Sequence, residues 1–388
     1  MRFPGFTDEW EKTTLGEVGS GFNYGLNAPA KEFDGDNKYI RITDIEESTG
    51  AYMDNDIVSP NGTLSEEYLV KDNDILLART GASTGKSYIY NPADGKLYFA
   101  GFLIRFNVNS ANPYFVYANL HTRNYWRWVN IMSARSGQPG INSQEYSSYP
   151  LYIPSRKEQE KIASLLHLID ERISTQNKII NKMQSLIKGL AKTHYDSCPT
   201  LHSVKIRELG EPYTVMNLSK EQLSDSGVPC ILYGELFTQY GPVIEDVINK
   251  TSVTSNLTLS NGRDLLFPSS TTVDALSLIA PSAITKPNII LGGDMFGIKV
   301  SDKYSTEYLS YYFNYIGKRD IAKYAVGSTI IHLHYKDIAE HSIQIPSISE
   351  QKVFVKLASS VKRKIDTEKS LLRNLNELKS YLLQELFI

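Results

Sequence analysis

A chain of 388 residues with 41% apolar and 22% charged side chains, 25 Gly and 16 Pro is neither collagen, nor disordered, nor a disulfide scaffold, and its length predicts about two or three domains. Lys+Arg number 41 against 43 Asp+Glu, a net charge of −2. That balance carries no hint of a nucleic-acid partner.

The N-terminal segment MRFPGFTDEW has no apolar run. The longest aliphatic stretches, such as Ile75-Leu76-Leu77-Ala78, fall far short of a membrane span. The two cysteines, Cys198 and Cys230, do not form a close metal or redox pair, so a reducing, cytoplasmic setting is expected. From 1 to 150 the chain reads as short Val/Ile/Tyr/Phe runs broken by Gly, Asn, Asp and Pro, the pattern of strands and hairpin turns. IRITDI at 40–45 and Asp74–Leu77 are strand-like, and 113–132 is the one helical stretch. Ile153-Pro154-Ser155 then opens a long helix over about 156–193, with Ser155 placed to cap it.

After 195 the pattern starts again. ILYGEL at 231–236, Asp264–Phe267 and Gly327–Ile331 echo IRITDI, Asp74–Leu77 and Gly137–Ile141, and 305–325 is the second helical stretch. The match becomes sharp at Ile345-Pro346-Ser347 and Glu350-Gln351, which repeat Ile153-Pro154-Ser155 and Glu158-Gln159 after 192 residues. Ile169, Ile173, Ile180, Met183 and Leu190 correspond to Val361, Ile365, Leu372, Leu375 and Leu382. Their steps of three and four make a heptad seam, with Gln176 and Glu368 as polar interruptions and Lys379 in place of Ile187.

The expected architecture is α+β: two strand-rich halves, 1–150 and 196–342, separated by two long helical spacers, 151–195 and 343–388. Antiparallel pairing of the helices needs only short connections, whereas parallel pairing requires a return over a whole helix length. The halves would then sit at the two ends of a rigid antiparallel coiled coil, related by a pseudo-twofold axis. Charge follows the same duplication: −5, +4, −4 and +3 for the four segments in order.

Catalytic constellations are missing from this reading. Gly81–Ser87 resembles a phosphate-binding loop, but only Ala82, Ser83 and Thr84 intervene where Walker A needs four residues. Asn91-Pro92-Ala93-Asp94 lacks the second Pro and the aromatic of an adenine-methyltransferase tetrad. His332 and His334 have no third ligand at recognisable spacing. Asp34/Asp36, Asp54/Asp56 and Asp72/Asp74 sit beside Gly or Asn as turn residues.

A strand-rich half followed by a long helix opening Ile-Pro-x-x-x-Glu-Gln, and the same again, resembles the specificity subunit of type I restriction-modification systems. Tyr39–Ile45 and Arg79-Thr80-Gly81 add to the likeness, while Ile231–Glu235 and Pro268–Thr271 depart from it. The resemblance implies a non-catalytic DNA reader with two target recognition domains, each contacting one part of an asymmetric bipartite site. It also implies two modification subunits that carry S-adenosylmethionine and methylate adenine, and restriction subunits that use ATP and Mg. Pro154, Glu158, Gln159, Pro346, Glu350 and Gln351 would belong to the spacer that binds these partners.

Base reading needs side chains that reach base edges. The candidates are Arg79, Ser83, Lys86, Arg135, Gln138 and Asn142 in the first half. Tyr233, Ser269, Thr271, Lys323, Ser328, Thr329 and His332 are the candidates in the second. The acidic halves also permit a different class, a protein-interaction scaffold that does not bind DNA.

Overall fold

The computed structural model describes residues 2–47, 49–134, 140–253 and 255–387. The chain divides into two compact units, Met1–Lys178 with Ser370–Ile388, and Ile179–Lys369.

In the first unit a sheet is ordered 19–24, 103–108, 74–78, 87–89, with every neighbouring pair antiparallel. Its central strand, Asp74–Ala78, is buried throughout. The alternation of strand side chains explains why an unbroken apolar run is needed there. Ile75 and Leu77 face one core with Leu15, Ile104, Phe106 and Tyr125, while Leu76 and Ala78 face another with Ile40, Tyr88, Leu97 and Phe99. Glu11–Thr14 pairs with Pro150–Ile153, so the start and end of the strand-rich part meet just before the long helix.

The second unit repeats this plan in the order 210–214, 295–300, 264–268, 282–284, 243–244. Asp264–Pro268 is again buried throughout, and His202–Lys205 pairs with Ser342–Ile345. A parallel pair recurs too, 38–40 with 97–99 in one unit and 228–232 with 287–292 in the other.

IRITDI is only partly a strand. Extended pairing stops at Ile40, and Ile42–Asp44 winds into a 3-10 turn because the Asp44 carboxylate accepts the Arg41 amide at 2.8 Å. ILYGEL does likewise: the strand ends at Leu232, and Glu235 accepts the Leu232 amide at 3.2 Å. The helical stretches are each broken into two, Pro113–Asn119 with Arg123–Ser133 and Thr306–Tyr315 with Lys318–Ala322. Asn112, Thr122 and Ser305 cap three of these helices with their side chains.

The long helices run Arg156–Ser197 and Ile348–Leu386. Forty-two residues make the first about 63 Å long. In the first unit Ile162 and Leu166, near the start of the first helix, cluster with Leu382, Leu383, Leu386 and Phe387, at the end of the second. In the second unit His194 packs on Phe354, ring centroids 5.4 Å apart, so the end of the first helix meets the start of the second. Both local pairings are antiparallel, and the heptad positions 169, 173, 180, 187, 365 and 382 are buried. Gln176, Glu368 and Lys379 are buried at seam positions as well.

His121 follows the helix 113–119 with its ring on Tyr117, centroids 4.5 Å apart, and with Nδ1 3.0 Å from the Tyr117 carbonyl. Burial, and then the Lys379 ammonium, lower its pKa to about 4. The unfolded chain, with a histidine of ordinary pKa, therefore binds more protons between about pH 6.5 and pH 4, and stability is lost as pH falls through that window. Urea unfolding at pH 5 is expected to give about 1–2 kcal/mol less stability from this residue than at pH 7. His121→Asn should flatten that part of the profile, and an unchanged profile would refute the assignment.

Candidate nucleic-acid interface

The residues proposed to read bases gather where the central strand of each unit leaves its sheet. In the first unit the Arg79 amide donates to the Phe102 carbonyl at 3.0 Å, and its own carbonyl accepts from Ile141 at 3.0 Å. Thr80 bridges Gly140 beside it. The Arg79 side chain is set by two contacts: Nε donates to the Gly101 carbonyl at 3.2 Å, and the guanidinium lies over the Tyr24 ring, 4.8 Å from its centroid. Tyr24 is in turn fixed by the Ser143 amide, which donates to its hydroxyl at 3.3 Å. Tyr24 is 42% and Phe102 57% exposed, so an arginine plane and two aromatic rings share one rim. An arginine held this way can present its planar fork to a base edge or a phosphate.

The 81–86 loop is a hairpin joining 74–78 to 87–89. It is pinned inward at Gly85, whose amide donates to the Tyr146 hydroxyl at 3.1 Å and whose carbonyl accepts from Tyr125 at 2.9 Å. A β-carbon there would lie 2.7 Å from Val129, and φ is +93°. With that amide turned toward the core it is not available to cradle a phosphate. Ser83 is half-buried, and its carbonyl accepts from the Lys86 amide at 3.0 Å. Lys86 lies on the loop with Nζ 3.3 Å from Glu47.

Asn142 has a structural task that its sequence reading does not include. Its side chain accepts the Glu145 amide at 2.9 Å, and Glu145 accepts the Asn142 amide at 2.8 Å, a capping box on Ser143–Ser147. Its acceptor oxygen is therefore occupied. Arg135 and Gln138 lie outside the described residues.

In the second unit Ser269 occupies the place of Arg79. Its amide donates to the Asp294 carbonyl at 2.8 Å, and its carbonyl accepts from Leu333 at 2.9 Å. Only 5% of Ser269 is exposed, and its backbone anchors the crossing. Beyond it Ser270 and Thr271 pair with His332 and Ile331. Reciprocal backbone bonds between Val326 and His332, 2.9 and 2.8 Å, close a tight loop that exposes Ser328 and Thr329. Gly327 makes that closure possible, at φ +138° with the Ile330 carbonyl oxygen in the space a β-carbon would take.

Thr271 Oγ1 accepts from the Val273 amide at 3.3 Å. Tyr233, 37% exposed, packs against Gly293 in the turn that also carries Asp294. Lys323 is exposed, with Nζ 2.6 Å from Asp320. The His332 and His334 rings stack with centroids 6.1 Å apart. Among the described residues no group of three or more His, Cys, Asp or Glu is placed to hold a metal ion.

Sequence reasoning misses Tyr24 and Phe102 in the first rim. It also misses the exposed apolar side chains Val273, Leu276, Val326 and Ile330 in the second, which are 71%, 45%, 63% and 49% exposed. Nothing in their local pattern marks them, because an exposed apolar residue in a short loop looks like any other.

The motif residues of the helix starts are largely used within the chain. Gln159 is buried, accepts the Asn112 amide at 2.8 Å and donates to the Pro154 carbonyl at 2.8 Å. Gln351 does the same to Ser305 and Pro346, at 2.9 Å each. Glu158, 1% exposed, takes both Nε and Nη2 of Arg2. Glu350 instead bonds the Ser347 amide and hydroxyl. Pro154 and Pro346 are buried. Within the chain Gln159 and Gln351 act as staples that fix each long helix to the cap of the helix at 113–119 or 306–315.

The fold thus defines a duplicated protein: two α+β units, each with a loop rim at the same exit from its sheet and different side chains on it. Residues 7–185 and 203–377 match the family described as Type I restriction modification DNA specificity domain, and the chain belongs to that family. Two relatives come from Methanocaldococcus jannaschii. The MjaX type I restriction enzyme specificity subunit is 25% identical over 281 residues, 67% of this chain and just under two thirds, 63%, of that protein. The MjaVIII specificity subunit is 22% identical over 333 residues, 79% of this chain and 76% of its own. Among solved structures, the S subunit of a Type-I restriction-modification system from M. genitalium shares the fold at 15% identity with a TM-score of 0.61, covering 100% of this chain and 97% of that one. A chain from a structure on complex assembly of the type I R-M system matches at 14% identity and a TM-score of 0.52, with 97% of each covered.

Proposed function

We propose that this chain is the sequence-reading subunit of a type I restriction-modification complex, with each rim reading one part of a bipartite, asymmetric DNA site. The observation that carries this reading is the equivalence of Arg79 and Ser269. The same two backbone hydrogen bonds hold both positions, yet one projects a stacked guanidinium and the other is buried beneath a different, apolar loop. A common scaffold with two unlike reading surfaces is what an asymmetric site requires. The relatives named as specificity subunits support it.

The chain then supplies no catalysis of its own. Two modification subunits would carry S-adenosylmethionine and methylate adenine, and restriction subunits would bring ATP and Mg. The acidic balance of both strand-rich halves, −5 and −4, leaves much of the phosphate neutralisation to those partners. Purified with a modification subunit, the chain is expected to retain DNA sequence-dependently, with log K falling linearly against log salt. Absent or salt-insensitive retention by the assembled complex would reject the DNA reading in favour of a protein-interaction scaffold. Methylation mapping in cells carrying the chain and its partner identifies the site. Lys86→Gln should weaken all sequences alike and lower the salt slope by about 1, as a phosphate contact does. An effect confined to one base would instead make Lys86 a base reader.

A further inference from the structure

The seam of the long helices repeats after 192 residues, but the duplication changes its charge at Gln176/Glu368 and Ile187/Lys379 and, beside it, at Asp170/Lys362. Lys379 is 7% exposed, and its counterpart on the first helix is the buried Ile187. In the first unit the Lys379 ammonium lies 2.7 Å from Asp170 Oδ1, while Tyr114 donates its hydroxyl to the other oxygen of Asp170. The counterpart of Asp170 on the second helix is a cation, Lys362, which pairs in its own unit with Glu245 at 2.8 Å and Asp366 at 2.9 Å.

A duplicated helix could pair in the same antiparallel geometry with a second copy of itself. Two first helices would set Asp170 against Ile187, a half-buried carboxylate with the Tyr114 hydroxyl but no cation beside it. Two second helices would set the buried Lys379 against Lys362, whose carboxylates Glu245 and Asp366 are already engaged, so the Lys379 ammonium would find no carboxylate of its own. Only the first helix against the second joins Asp170 to Lys379. A buried ion pair adds little net stability compared with apolar packing, while a lone buried charge is costly. A single polar residue at a seam position is a known means of selecting one pairing among several.

We propose that Asp170 and Lys379 are the pairing-specificity determinant of this duplicated chain: they let each long helix accept the other half and reject a second copy of itself. The asymmetry of the two halves, and with it of whatever they bind, is thereby kept from collapsing into two identical halves. This inference does not depend on what the rims recognise.

The test uses the full chain with a protease site placed in the segment 198–201, which lies outside helix and strand. The chain is purified intact and then cut, and the species are counted by native mass spectrometry after incubation. The unaltered protein should show only complexes of a first half with a second half. In the charge-exchanged Asp170→Lys/Lys379→Asp chain the native pairing remains complementary. A pair of second halves then sets a carboxylate at position 379 against Lys362, whereas a pair of first halves sets an ammonium at position 170 against Ile187. Second-half pairs should therefore rise by about tenfold or more, while first-half pairs stay absent. In the neutral Asp170→Asn/Lys379→Ile chain, which removes both charges of the pair, both self-pairs should appear. Self-pairs already abundant in the unaltered protein would overturn the proposal, as would failure of either double variant to raise them.

Discussion

Replacing Gln351 with Ala should cost about 2–3 kcal/mol, read as a lowered urea midpoint with an unchanged slope. Gln351 is 1% exposed, and its amide makes one bond in each direction. It accepts from the Ser305 amide and donates to the Pro346 carbonyl, each at 2.9 Å. Truncation strands both backbone groups away from water, and an unsatisfied buried group costs about 1–3 kcal/mol. Gln351→Glu should not rescue, because a carboxylate accepts from Ser305 but cannot donate to Pro346. Gln159→Ala should behave alike through Asn112 and Pro154. A loss below about 0.5 kcal/mol for either alanine variant would show that the staple is not what holds the helix start, since that is the range of ordinary surface substitutions.

The two glutamines also show how far the sequence can be read. The Ile-Pro-x-x-x-Glu-Gln motif is visible, as are the 192-residue repeat and the heptad steps, because each is a pattern along the chain and needs no knowledge of distant neighbours. What Gln159 and Gln351 touch lies 47 and 46 residues upstream. The glutamines of a motif assigned to partner binding are thus occupied by the caps of the chain's own helices at 113–119 and 306–315. Asp44 and Glu235 tell the same story on a smaller scale: a strand-like apolar run ends early because a carboxylate three residues on captures an amide at or just past the strand end. Among the reading residues, Asn142 and Ser269 have the composition of contact residues but are used by a helix cap and a buried backbone crossing. Residue type announces chemistry. Exposure, which decides whether that chemistry faces a ligand, is set by packing from other segments.

Arg79→Ala is expected to relax recognition at one base pair in one part of the site and to leave the other part intact. Arg79 enters the rim oriented: Nε is held by the Gly101 carbonyl and the guanidinium face rests on Tyr24. Little side-chain freedom is left to lose on binding, and the planar fork suits guanine O6 and N7. A good bidentate contact is worth about 1–3 kcal/mol against the wrong base, roughly 5- to 150-fold. Arg79→Lys retains the positive charge without the fork, so it should recover general affinity but not the discrimination. Tyr24→Leu keeps the charge and the fork and removes the stacking platform, so its discrimination should fall between that of the unaltered protein and that of Arg79→Ala. The measurement is DNA retention by the complex with its modification subunit, on oligonucleotides varied one position at a time around the mapped site. Placing 7-deazaguanine at the affected position removes N7 alone: the unaltered protein should lose affinity there and Arg79→Ala should not respond. Uniform weakening over all sequences by Arg79→Ala would make this residue a phosphate contact, and discrimination in the first part would then rest on other groups of the same rim.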